Sequence, residues 1–366
     1  MKIRDVRPIV VVMPFTRIGV PLPTPSSTSI IIVQVTTDEG ITGIGQAFTT
    51  LSSNSAATVA KAVETMIKPK VTGRDPMAIA ALWDELFYAF YSVGRSGITI
   101  AALSGFEIAL WDIKGKALNT PVYQLLGGPA HDKIKAFASL SQYTRPAEAG
   151  RAAEVVAEKG FTALKLHLGD VDSLAAVRSS VGNGMDIMVD LTANCHWDPA
   201  TAVRKGQELE KYNPYWYEQP VFPHDDYDGL AYAKSKVNIP IATGEDEYTA
   251  RGFNRLIEKR AADYLQPSII KIGGILQEKK VFTMAGAFNL KVAPNCWSTG
   301  PAMAATIQVC FSEPDAFIIE TPVDVPEVPI VVTSISPPEK GYWKRPERPG
   351  LGIEFDEKQL QKYIIK

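Results

Sequence analysis

The stretch "FTALKLHLGD", residues 161–170, decides how the rest of the chain is read. With a period of two, Leu164, Leu166 and Leu168 fall on one face of a strand, while Lys165 and His167 share the other. One side is wholly apolar. The second side carries two titratable groups, and it needs a polar place to face.

Around this strand, from about residue 133 onward, the chain repeats a unit of short apolar strand, turn and amphipathic helix. The strand candidates are "IKAFASL", "ALKLHLG", "DIMVDL", "WYEQP", "IPIATGE", "YLQPSII", "LKVAPN" and "AFIIET"; helical patterns such as "TAVRKGQELEKY", "LAYAKSK" and "RGFNRLIEKR" lie between them. Strand alternating with helix implies parallel strands joined by right-handed crossovers. Eight such strands in about 200 residues imply a closed barrel.

The flanks have another texture. "RPIVVVMPF" and "SIIIVQVTTDEGITGIGQAF" are β-branched runs, the second turning back at "TDEG", and they predict an antiparallel meander. The Pro-, Gly- and Ser-rich residues 16–28 between them read as a long surface loop. Helical patterns follow at about 55–70, 76–92 and 98–118, the last apolar around most of its circumference and so buried. The Pro-rich tail from about residue 321 is expected to return to the first domain as strands and loops.

Bulk properties narrow the function. The 366 residues are 46% hydrophobic and 21% charged with a formal net charge of -2, so nothing draws the chain to nucleic acid or an anionic membrane. No apolar segment reaches the roughly 20 residues a span requires, and the start "MKIRDVRPIVVVMPFTRIGV" reads as a strand rather than a signal peptide. Cys195, Cys296 and Cys310 lack paired spacing and read as free thiols, which fits a cytoplasmic location. A small molecule is the expected ligand.

In a parallel barrel, chemistry gathers where strands end at the C-terminal rim. Asp190 ends "DIMVD", Glu218 sits in "WYEQP" and Glu245 ends "IPIATGE". With Lys165 these residues are spaced by about one strand-helix unit each, so they come from four consecutive strands and are expected to meet. Three carboxylates in a partly dry site need a counter-charge, and all-oxygen ligation points to Mg²⁺ rather than Zn²⁺. Each could instead be a solvated strand end. Glu247 is a rival third ligand, and Asp246 is expected to point the other way.

As a set, "EIALWDIKGKALNTPVYQLLGG", the Lys-x-His strand, "MVDL", "YEQP", "TGE", "KIGGI" and "RPGLGIEFDE" resemble the enolase superfamily, and most closely its mandelate racemase group. The resemblance implies an α/β fold, a modified TIM barrel of (β/α)₇β type at residues 126–325. An α+β capping domain is built from residues 1–125 and completed by residues 326–366. It implies one Mg²⁺ per chain on Asp190, Glu218 and Glu245, a small-molecule carboxylate substrate, and a shared first step in which a base removes the α-proton to give a stabilised ene-diolate. A homo-oligomer is also expected.

Departures from the family pattern guide the choice of reaction. The position of His167 is usually a second lysine acting as base, and histidine suits proton abstraction near neutral pH. The Asp-His dyad usual on the far side is replaced by Ser268 and Asn295, which cannot act as general bases and are left to hydrogen-bond substrate hydroxyls. Two-base racemisation loses support. Dehydration of a sugar acid (aldonate or aldarate) to a 2-keto-3-deoxy acid by a single base remains.

Glu320 matches the position that hydrogen-bonds the substrate carboxylate. His196 is a candidate replacement acid or substrate contact, or a loop residue without a role; Ser139 could touch substrate or fill the barrel. His131 and His224 read as surface residues and Lys271 as structural. Three rivals stay open: a racemase, epimerase or cycloisomerase; a Schiff-base aldolase using Lys165 or Lys271; and a binding barrel without turnover.

Overall fold

The computed structural model describes the chain except residues 16–17, 19–25, 50–52, 168–169, 192–195, 325–330, 334–336, 357, 359–361 and 364–366. Leu168, Cys195 and most of the expected loop at 16–28 therefore lie outside the described residues, as does part of "TTLSSNSAA".

Strands β1 (Ile3–Phe15), β2 (Ser26–Thr37) and β3 (Thr42–Ala47) form the antiparallel meander that their β-branched runs predict. Helices α1 (Ser53–Ala62), α2 (Lys68–Val71), α3 (Ile79–Ala89) and α4 (Ile98–Ala117) follow, with a π turn between the first two. Every residue of α4 from Thr99 to Ile113 is buried, in keeping with a helix apolar around most of its circumference, and Glu107 and Asp112 are buried with it. Small residues let it lie directly on the sheet. A Cβ on Gly45 would stand 2.0 Å from the Gly105 carbonyl oxygen. Gly45→Ala is thus expected to destabilise the fold by about 1–3 kcal/mol through overpacking; an unchanged denaturant midpoint would argue against this close approach.

After α5 (Val122–Leu125) the barrel begins. Its strands are β4 (Lys133–Ser139), β5 (Ala163–His167), β6 (Asp186–Asp190), β7 (Trp216–Glu218), β8 (Ile241–Thr243), β9 (Tyr264–Leu265), β10 (Lys291–Val292) and β11 (Ile318–Pro322). Between them run α6 (Pro146–Glu158), α7 (Val171–Val181), α8 (Pro199–Glu210), α9 (Tyr227–Lys234), α10 (Thr249–Glu258), α11 (Ile275–Ala287) and α12 (Pro301–Ser312). All neighbours in the order β10-β9-β8-β7-β6-β5-β4-β11 pair in parallel. The expected α/β barrel is present. Leu164 and Leu166 face the buried outer side of its wall.

Glu107 of α4 ties the first layer to the barrel. Its carboxyl accepts from the Ile275 and Leu276 amides at 2.8 and 2.9 Å, at the N-terminus of α11, and from Trp111 Nε1 at 2.8 Å. Burial outweighs these donors and pushes the carboxyl up to about 8 from its ordinary 4.5. A raised carboxyl stabilises the fold while protonated, so that contribution is full below about pH 4.5 and fades as pH rises through about 8. The unfolding midpoint should fall over that window and Glu107→Gln should flatten the fall. Parallel pH profiles for the two proteins would contradict the assignment.

The tail does two things where one was expected. Gly350 and Leu351 return to α4, with the Leu351 amide donating to Asp112 Oδ1 at 2.9 Å. Strand β13 (Tyr342–Lys344) instead pairs antiparallel with residues 133–135 of β4. β4 meets β5 only at Ala138 and Ser139, so its early residues leave an edge that β13 covers. β12 (Val331–Thr333) and β14 (Ile353–Phe355) pair with each other. No described helix is long and apolar enough to cross a membrane.

Candidate active site

A layer of inward-facing side chains, Phe137, Ala163, Met188, Trp216, Ala242, Ala293 and Ile318, packs as one buried cluster inside the barrel. Two residues further along, the period of a strand returns the chain to the same inward face. From six of those seven positions that step arrives at Ser139, Lys165, Asp190, Glu218, Asn295 and Glu320. All are buried. The apolar layer is the floor, and these residues form the polar layer resting on it. From Ala242 the step arrives at Gly244, whose φ of 126° redirects the chain so that Glu245 follows one residue later.

Lys165 Nζ lies 2.8 Å from Glu218 Oε1, 2.9 Å from Asp190 Oδ2 and 3.0 Å from Glu320 Oε1. Burial opposes its charge, yet the three carboxylates hold its pKa well above 10.5. An amine kept this firmly protonated is no nucleophile, which argues against a Schiff base there. Burial also opposes charge on Asp190, but Lys165 and His167 keep its carboxyl well below the usual range. Glu218 goes the other way: burial and the adjacent Asp190 push it well up. Its Oε2 accepts from Trp216 Nε1 at 2.8 Å and Gln266 Nε2 at 2.7 Å.

His167 stands at the end of β5, with Nδ1 2.5 Å from the Leu140 carbonyl oxygen. A carbonyl only accepts, so Nδ1 carries the hydrogen and Nε2 holds the lone pair of the neutral ring. Nε2 faces Asp190 Oδ2 at 3.2 Å. Burial disfavours the imidazolium, but Asp190 more than offsets it and the pKa rises from 6.5. Trp297 packs edge-on against the ring at 6.4 Å.

Across the site, Asn295 Nδ2 donates to Glu245 Oε2 at 2.7 Å, and burial pushes the Glu245 carboxyl up. Asp246 points away as expected, to Lys271 Nζ at 2.9 Å and His224 Nδ1 at 2.7 Å. His224 is therefore a half-buried, carboxylate-paired residue and not the surface histidine expected from sequence. His131 is likewise half-buried, against the Glu313 carbonyl at 2.8 Å. Lys271 is buried, its Nζ also 3.8 Å from Glu245 Oε1 and 4.4 Å above the Phe48 ring. Glu247 turns to the Tyr227 hydroxyl at 2.6 Å. His196 is exposed, edge-on to Phe222 at 4.4 Å, and Ser268 is buried beside Asn295.

The geometry has counterparts among known proteins. The description "Enolase C-terminal domain-like" matches residues 147–359 and "Mandelate racemase / muconate lactonizing enzyme, N-terminal domain" matches residues 6–127. The chain belongs to the enolase superfamily. Within that superfamily it is 34% identical to a D-galactonate dehydratase of Klebsiella pneumoniae, over 90% of this chain and 89% of that one. A D-xylonate dehydratase of Haloferax volcanii is 29% identical over 92% and 85%. The solved 3,6-anhydro-D-galactonate cycloisomerase of Zobellia galactanivorans superposes with a TM-score of 0.90 at 30% identity, covering 100% of both chains.

Enolase superfamily chemistry raises the question of a divalent ion. Among the described residues no three ligand side chains converge as a ready cage: Asp190 and Glu218 turn to Lys165, and Glu245 turns to Asn295. The donor set still fits. The Asp190 and Glu218 carboxyls lie within hydrogen-bonding reach of each other, with the Lys165 ammonium 2.9 and 2.8 Å away as their counter-charge. With Glu245 they offer hard oxygen donors from adjacent strand ends and no thiolate or imidazole, a set suited to Mg²⁺.

Several contributors escaped sequence reading. Trp216 precedes Glu218 by two on the same face, so alternation could have flagged it. Gln266 likewise follows by two residues Tyr264, which packs on the same inward cluster, so the step of two could have found it as well.

Proposed function

We propose that the chain is a Mg²⁺-dependent dehydratase of a sugar acid, an aldonate or aldarate, yielding a 2-keto-3-deoxy acid. The observation that carries the reading is the His167 imidazole, whose Nε2 is aimed into a cluster of buried carboxylates around one lysine, while an amide and a hydroxyl, Asn295 and Ser268, take the positions of the usual dyad. The dehydratase names of the relatives agree with it.

Asp190, Glu218 and Glu245 would hold the ion, which when bound supplies positive charge against the negative charge growing on the substrate carboxylate. Lys165 and Glu320 position that carboxylate, the lysine adding a second cation. His167 Nε2 takes the α-proton, and the C–H pair becomes the new C=C bond. Asp190, 3.2 Å away, stabilises the imidazolium so formed. His167 then returns the proton to the β-hydroxyl as the C–O bond breaks, releasing water and an enol that tautomerises to the keto acid. Asn295, Ser268, Ser139 and His196 are left to contact hydroxyls.

Aldonates and aldarates screened with Mg²⁺ should give a 2-keto acid, and EDTA should stop its formation. A panel that yields no keto acid would count against the reading. A second reading, cycloisomerisation of a carboxylate, is favoured by the full-length superposition on a cycloisomerase. It uses the same base without loss of water, so a product of unchanged mass would select it.

A further inference from the structure

His167 has a second carboxylate in its surroundings, reached through one peptide group. The Leu140 carbonyl that accepts from Nδ1 belongs to the same planar amide as the Ser141 N–H, and that N–H donates to Asp324 Oδ2 at 2.6 Å. Strand register sets this arrangement. β11 runs beside β4 with Pro322 opposite Ser139, and the Val323 amide extends the ladder by donating to the Ser139 carbonyl at 3.2 Å. On the other side of β4 the Leu140 amide donates to the Lys165 carbonyl at 3.0 Å. The ends of β11, β4 and β5 are therefore level, and Asp324, the 140–141 peptide and His167 lie in a row.

We propose that Asp324 is the positioning residue for His167, acting through the Leu140–Ser141 peptide as a carboxylate does directly in an Asp-His dyad. A carboxylate accepting the amide N–H draws positive charge to that end and makes the carbonyl oxygen a stronger acceptor, since bonds in a chain polarise one another. The stronger acceptor fixes the Nδ1–H tautomer and the ring plane, leaving Nε2 as the basic nitrogen. Asp324 is fully buried, so the effect is not diluted by solvent. The inference rests on the reading of His167 as the base.

The same carboxylate reaches the N-terminal region. Asp324 Oδ1 accepts the Ile18 amide at 2.5 Å, and the Tyr143 hydroxyl lies 2.9 Å from the Ile18 carbonyl and 3.3 Å from both Asp324 oxygens. One group thus serves both the orientation of the imidazole and the seating of residue 18. Asp324→Asn and Tyr143→Phe separate the two duties, because only the first removes the charge of the group that accepts the Ser141 amide.

The test pairs ¹⁵N-histidine NMR of the intact protein with exchange of substrate α-hydrogen in D₂O. At a pH high enough to leave the ring neutral, the wild-type His167 ring nitrogens should report the Nδ1–H form. Asp324→Asn should move the Nδ1–H resonance upfield or mix the tautomers, and lower the exchange rate by about ten- to a hundredfold, as loss of an outer partner of a functional histidine commonly does, with KM changed far less. Tyr143→Phe should leave the ring signals in place. Unchanged ring signals in Asp324→Asn would overturn the proposal, and so would equal loss in the two variants, which would assign Asp324 to holding residue 18. Ring signals that shift as expected in a protein that exchanges no α-hydrogen would support the relay and sink the dehydratase reading.

Discussion

His167→Ala is expected to lower kcat by about 10²- to 10⁴-fold, the range that a positioned general base contributes. In the same variant, exchange of the substrate α-hydrogen in D₂O should fall with turnover, because the proton has no other acceptor facing it from β5. KM should move little. Among the described residues the ring touches the Leu140 carbonyl, Asp190 and the edge of Trp297, all at the rim of the site, so the variant should keep a near-wild-type unfolding midpoint. Turnover within a few-fold of wild type would mean that another group takes the proton, and it would bring His224, which is also paired with a carboxylate, into consideration.

Lys165→Met should have the larger effect on stability. Three buried carboxylates share that one ammonium, and deleting the cation of a buried ionic cluster costs about 3–5 kcal/mol because the partners stay behind uncompensated. Some of that cost is avoided by protonation. Glu218 is already pushed up by burial and by Asp190, and without the lysine it is the carboxyl most ready to take a proton. On the proposed mechanism turnover should be lost together with stability, since an uncharged methionine would leave the substrate carboxylate without its second cation. Denaturant unfolding alongside a turnover assay checks both, and a variant as stable as the wild type would show that the cluster does not depend on Lys165.

The sequence made much of this legible for a simple reason. Barrel strands keep a strict period of two, so Lys165 and His167 announce an inward face, and the same step places Asp190, Glu218, Asn295 and Glu320 in one layer two residues above an apolar floor. Glu245 was legible only by spacing, because Gly244 shifts the chain by one residue and hides it from the alternation. His224 and Asp324 were not read correctly or at all. Each sits in a loop after a strand, where direction is set by individual turns and by partners from distant elements, here Asp246 for one and Ser141 with Ile18 for the other. β13 was missed because an edge left by one strand is visible only once that strand's neighbours are known.

The central claim is that Asp190, Glu218 and Glu245 act together on one divalent ion beside His167. Calorimetric titration of Mg²⁺ into the wild-type protein and into Asp190→Asn, Glu218→Gln and Glu245→Gln tests it most directly. One saturable site per chain is predicted, weakened severely by each substitution. No saturable binding, or a site that survives all three changes, would contradict the account.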